Sequence, residues 1–267
     1  MDPSPGAGVE DMQAPGGGMQ EARRDAALLR LGVASVWLAT GLLVLTPQYR
    51  EVGSRYLGAL GLPDALMWAT CAGEVALGLW VALRTSDRWS AGLQVALVTI
   101  FTLILAFHEP MLLVSPYGVL TKNLPIVGSV LVALWLEGEG WSPRARWTLR
   151  LTMAAIWATE GLGPKILFQQ AEELTIAART GLSFGHPERL LAAIGAAQIT
   201  GGLLALTLRG RPLRLVLGAQ VLALIALPLV VGWMRPDLWF HPFGPLTKTI
   251  PVLAGTFVLW RRCSTWS

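Results

Sequence analysis

The chain reads as an all-α integral membrane protein with eight transmembrane helices, arranged as two parallel-oriented four-helix-bundle repeats. Three observations predict this. Hydrophobic residues make up 53% of the 267 and charged residues only 14%, a balance too apolar for a soluble chain of this size. Eight continuously apolar runs, each near the roughly 20 residues that a hydrocarbon core of about 30 Å requires, are separated by short polar breaks. The stretch HPFGPLTKTIP at residues 241–251 has a gapless upstream copy, SPYGVLTKNLP at residues 115–125. Pro116 falls on Pro242, Gly118 on Gly244, Lys122 on Lys248 and Pro125 on Pro251.

Residues 1–26 are rich in Gly, Pro, Ser and acidic side chains and cannot bury a core, so they are expected to form a disordered cytoplasmic tail. No basic-then-apolar leader with a small-residue cleavage site opens the chain. The apolar runs fall at about 28–46, 65–83, 90–108, 119–136, 147–168, 188–208, 213–233 and 246–261. Helices rather than a barrel are required, because the runs are continuous and do not alternate. Residues 27–138 hold the first repeat and residues 145–262 the second. The match extends beyond the motif: Pro110 falls on Pro236 and Gln94 on Gln220, and Arg30, Trp37 and Gly41 fall on Arg150, Trp157 and Gly161. Four helices per repeat is an even number, so both copies enter the membrane in the same sense, unlike the inverted repeats of many ion-coupled carriers.

A sequence pI near 9.5 would suggest nucleic acid in a soluble protein. Here the arginines gather at helix ends, which makes them topology signals and removes nucleic acid from the partners. Lys and Arg are more numerous on the side that holds both ends of the chain. The expected setting is therefore a bacterial-type inner membrane, with N- and C-termini cytoplasmic and both lysine motifs at the outer face. Twelve tryptophans, many at predicted helix ends, form an interfacial belt. Cys71 and Cys263 lie at different depths and offer no CxxC pair. The histidines lack HxxxH or HExxH spacing, so no metal site is expected.

Chemistry centres on charges that lipid does not tolerate. The only lysines are Lys122, Lys165 and Lys248, each where a loop meets a predicted helix. In the repeated motif Thr121 and Thr247 are placed as N-caps, and Pro125 and Pro251 suit a first turn. A lysine there stands at the positive end of the helix dipole, so an anionic partner is expected. Glu74 and Glu160 are the candidates, with Gln198 standing in the second repeat where Glu74 stands in the first. Glu160 and Lys165 share a face only if the helix around Pro164 is distorted. His241 is a hydrogen-bonding loop residue or a proton donor to a ligand. Asn123, Thr121, Thr247 and Gln198 would support the set. Two uses remain open for the Glu and Lys residues: a device that fixes how the halves dock, or a ligand or proton site.

The stretch WATEGLGPKILF at residues 157–168, Glu74 with Gly78, and the motif ending at Pro125 together resemble the DoxX-like family of small four-helix membrane proteins. Trp157, Glu160, Gly161, Pro164 and Lys165 match its first helix, and residues 116–125, including Asn123, match its last. The second repeat departs at Thr249, and the first lacks the Glu and Lys of the first helix. The resemblance covers about residues 28–262 and implies a tandem duplication of the family unit. It also implies a subunit or accessory of a quinone-linked membrane redox system that carries no cofactor of its own. Such a protein would bind quinone or another small amphipath near the outer face and receive electrons from a redox partner protein. Two other classes fit the same residues: a membrane scaffold or assembly protein without catalysis, and a small-solute transporter.

Overall fold

A computed structural model describes residues 17–116 and 118–263. Among these residues there is no strand, and ten α-helices follow one another. The first half runs α1 (Gly17–Leu42), α2 (Pro47–Ala59), α3 (Ala65–Leu83), α4 (Arg88–His108) and α5 (Asn123–Gly138). The second repeats the order: α6 (Pro143–Leu162), α7 (Ala171–Arg179), α8 (Pro187–Thr207), α9 (Gly210–Met234) and α10 (Thr249–Arg262). In each half a 3-10 turn, Pro110–Leu113 or Pro236–Phe240, precedes the repeated motif.

All eight apolar runs are helical, and five helices are long and apolar enough to cross a membrane. These five are α1 with its 3-10 extension, α3, α4, α8 and α9. The other three, α5, α6 and α10, are short or carry several charges, and they lie in the middle of the molecule. There α1 packs on α5 and α10, α5 on α6 and α10, and α6 on α10. Around this group α3 leans on α1, α4 on α5, α8 on α6 and α9 on α10. The halves are therefore interlocked through their first and last helices rather than laid side by side as two finished bundles.

Local chemistry sets the helix starts. The Asp87 carboxylate accepts the amides of Trp89 and Ser90 at 2.9 and 3.0 Å to open α4. Ser142 accepts the amide of Ala145 with Pro143 at the first helical position of α6. Close packing of α1 on α3 and of α6 on α8 depends on glycine. A Cβ on Gly41 would stand 2.6 Å from the carbonyl of Cys71, and one on its counterpart Gly161 would stand 2.5 Å from that of Gly195.

Two features depart from the expectations. Helix α1 begins at Gly17, inside the segment expected to be a disordered tail, because Ala22, Asp25 and Ala26 are fully buried against the end of the chain. Residues 1–16 of that tail lie outside the described residues. Helices α2 and α7 occupy stretches read as loops. Each is a short amphipathic helix between the first and second long helices of its half, too polar overall to stand out as a continuous apolar run.

The two ends of the chain are clamped together. Buried Asp25 accepts hydrogen bonds from Arg262 Nε at 2.5 Å and Trp141 Nε1 at 2.9 Å, and pairs also with Arg261. Arg262 also pairs with Glu21, so removing the Asp25 carboxylate weakens the clamp without freeing the arginine. Asp25→Ala is therefore expected to lose about 1–3 kcal/mol, read as a lowered melting temperature of the detergent-solubilised protein.

Candidate functional site

The repeated motif forms a buried non-helical turn before the last helix of each half. Gly118 and Gly244 take φ of +69° and +56°, a left-handed conformation that glycine adopts without strain. At Gly118 space also forbids a side chain, since a Cβ would stand 2.7 Å from Glu160 Oε1. Val119, Leu120 and Leu246 in these turns are almost wholly buried, so their backbone carbonyls need partners inside the protein.

The motif lysines supply those partners, each to the other half. Lys122 Nζ donates to the carbonyl of Pro245 at 2.8 Å and to Thr249 Oγ1 at 2.9 Å. Lys248 Nζ donates to the carbonyl of Val119 at 2.9 Å. Val119 and Pro245 are equivalent positions of the repeat, so the two bonds are a symmetric exchange. The hydrogen-bond partners are neutral carbonyl and hydroxyl oxygens, while the candidate carboxylates stand near enough to act through charge, Glu160 on Lys122 and Glu74 on Lys248. The lysines themselves stand at the N-cap positions of α5 and α10, without a side-chain cap. Thr121 and Thr247, expected as caps, donate instead to Glu160 Oε1 at 2.5 Å and to the carbonyl of Gly244 at 3.1 Å.

The remaining candidates divide between the halves. Around Pro164 the helix widens to a π turn, Gly163–Leu167, in which the amide of Phe168 reaches the carbonyl of Gly163 at 2.9 Å. Even so, Lys165 pairs not with Glu160 but with Glu173 of α7, at 2.8 Å and buried. Glu173 escaped the sequence reading because α7 did; the acidic start of AEELTIAAR, with Ala177 four residues on, was the available signal. Asn123 donates to Thr102 Oγ1 at 2.8 Å, leaving Lys248 without the second acceptor that Thr249 gives Lys122. Buried Glu74 keeps one carboxylate oxygen without a hydrogen-bond partner among the described residues.

Each half encloses a largely apolar cavity. The cavity of the second half, about 360 Å³, lies under α7 among α6, α8, α9 and α10, and Glu160, Lys165, Glu173, Gln198 and Trp157 reach it. The cavity of the first half, about 410 Å³, lies under α2 among α1, α3 and α4, with Glu74, Asn123, Tyr49 and Tyr56 in its wall. The motif lysine on each wall comes from the opposite half: Lys122 in the second cavity, Lys248 in the first. Trp157 Nε1 and Gln198 Oε1 in the second cavity have no partner among the described residues. The equivalent Trp37 Nε1 is satisfied by Gln94 at 3.2 Å.

His241 lines neither cavity. Its Nδ1 accepts the amide of Phe243 at 3.3 Å, which leaves the other ring nitrogen to carry the proton. Burial pushes its pKa below the ordinary histidine value, against the opposing pull of Glu172 and Asp237 and with a smaller push from Arg235. Among the described residues no three of His, Cys, Asp and Glu converge as metal ligands.

The sequence matches the DoxX-like family twice, over residues 34–131 and again over residues 154–257, together well over half the chain. No curated protein and no solved structure matches it.

Two outcomes follow from this geometry. Lys122→Met strands a buried carbonyl and a buried hydroxyl, Lys248→Met a carbonyl alone. Expected losses are about 2–3 kcal/mol and roughly half that, read from thermal unfolding in detergent; equal losses would contradict the asymmetry. For His241, an unfolded chain takes up a proton near pH 6.5 where the folded chain does not, so stability is complete above that value and falls below it. Between about pH 7.5 and about pH 5.5, His241→Gln is expected to lose less melting temperature than the unmodified protein.

Proposed function

The chain belongs to the DoxX-like family, and from its paired cavities we propose that it is a membrane subunit or accessory of a redox system that binds quinone or another small amphipath. In this reading all eight apolar runs cross a bacterial-type inner membrane, and both termini are cytoplasmic. The cavities then open near the outer face. Excess Lys and Arg on the side of the termini supports that orientation. The short central helices and their buried turns fit a membrane interior, where non-helical backbone is tolerated only inside protein.

The observation that carries the reading is the second cavity: apolar walls ending in a few convergent polar groups, of which Trp157 Nε1, Gln198 Oε1 and Glu173 Oε2 are unsatisfied among the described residues. The indole N–H of Trp157 and the ammonium of Lys122 are donors suited to a carbonyl oxygen of the head group. Glu160 and Glu173 are the nearby carboxylates suited to holding a proton. Electrons in this scheme come from a partner protein. The quinone supplies reversible two-electron, two-proton chemistry when bound, and the chain contributes binding, orientation and a dry cavity.

One observation favours a second reading. Both motif lysines have hydrogen-bond acceptors within the protein, so they lock the halves with no ligand present. That suits a membrane scaffold or assembly protein. Organic extraction and mass spectrometry of the detergent-purified protein separates the two, run beside Trp157→Phe and a Lys122→Ala, Lys248→Ala double variant. A quinone at about one per chain, lost from Trp157→Phe even if the lysine variant fails to fold, is the expected result. Bulk phospholipid alone in every sample would make the scaffold the better account.

A further inference from the structure

The two cavities occupy equivalent places in the repeat, so each serves as the control for the other. Their walls have diverged. The second cavity has Trp157 as its one aromatic residue among aliphatic side chains, with Lys122, Glu160, Lys165, Glu173 and Gln198 among its polar groups. The first is walled by Trp37, Tyr49, Tyr56, Phe101, His108 and Phe243. Planar rings on several sides favour a planar ring between them, through edge-to-face and offset packing that an alkyl chain does not gain.

The polar groups have diverged as well. Where the second half has the neutral Gln198, the first has Glu74, 6% exposed, lining the cavity, with Oε2 unpartnered among the described residues. Lys248 is near enough to act on Glu74 electrostatically and lines the same cavity. Its one hydrogen-bond acceptor among the described residues is the carbonyl of Val119, while an ammonium carries three N–H donors. Its spare donors exist because Asn123 is turned toward Thr102. The first cavity therefore holds an unsatisfied acceptor and an unsatisfied donor. A hydroxyl answers both, donating to Glu74 and accepting from Lys248. A bare cation would meet the like charge of Lys248, and a carbonyl would leave Glu74 unsatisfied.

We propose that the cavity of the first half is a separate site, selective for an uncharged amphipath whose head is a hydroxylated aromatic ring, and that the second cavity is less selective for such a ring. The proposal rests on the reading that the cavities hold amphipaths at all. It adds that they discriminate.

The test uses the full-length protein in lipid nanodiscs with two photoreactive diazirine probes, a naphthol and a long-chain alkanol, and locates the cross-links by peptide mass spectrometry. The naphthol probe is expected to label residues 49–66 and 101–108, with 2-naphthol displacing it about ten-fold more effectively than naphthalene. Glu74→Gln should lower that labelling about ten-fold; glutamine already stands at the equivalent position 198, so the fold accepts it. Phe243→Leu, which keeps both polar groups, should weaken preference for the ring and leave labelling by the alkanol probe unchanged. Equal labelling of both cavities by the naphthol, equal competition by naphthalene, or no effect of Glu74→Gln overturns the discrimination and leaves the cavity reading standing. Labelling of neither cavity by either probe overturns both.

Discussion

The fold turns on one exchange: Lys122 reaches the turn of the second half, and Lys248 reaches the turn of the first. A buried turn that is neither helix nor strand leaves carbonyls without intrahelical partners, and an unpaired carbonyl away from water costs about 1 to 3 kcal/mol. Within one half nothing described satisfies Val119 or Pro245. The donor comes from the other copy. A half is thus chemically unfinished alone, and the duplication is completed by contact between its products rather than by repetition.

This constraint explains the arrangement around it. For each lysine to reach the other turn, the turns must lie side by side on the pseudo-twofold axis, which places α5 and α10 against each other. The first helices of the two halves, α1 and α6, then close the central group, and the clamp of Asp25 on Arg261 and Arg262 ties α1 to α10 at the opposite end. With the middle of the molecule filled by short helices, the long apolar ones are left outside. This is where α3, α4, α8 and α9 lie, with broad exposed apolar faces.

Much of this was legible in the residues and some of it could not be. The repeat, the eight helical runs and the special status of Lys122, Lys165 and Lys248 follow from identity and hydropathy, which are local properties of the chain. What the lysines touch does not. Proximity of Lys122 to Pro245 is a product of assembly, and electrostatics names the carboxylates that act on the lysines through charge without naming the carbonyls they bond. Glu160 is buried, and its hydrogen-bond partner Thr121 comes from the opposite half. Short α7 hid Glu173, and with it the true partner of Lys165. His241, prominent beside the motif, faces its own loop instead of either cavity.

The same exchange gives the halves freedom to differ. Because each cavity takes its lysine from the other copy, the lysine is constrained by the turn it supports, while the rest of the wall is not. Trp37 and Trp157 occupy one position, the first satisfied by Gln94 and the second open, while Glu74 and Gln198 occupy another at which both copies keep an unpartnered oxygen among the described residues but only one carries an ionisable group. Two identical units would have to change both walls at once. Fusion into one chain lets each wall change singly around a fixed pair of lysines. The lysines also make the two cavities mechanically adjacent. Lys122 bonds the turn that carries Phe243 and Lys248 into the first cavity, and Lys248 bonds the turn that carries Lys122 into the second. The two cavities thus share one structural element, the pair of turns that the lysines cross-link.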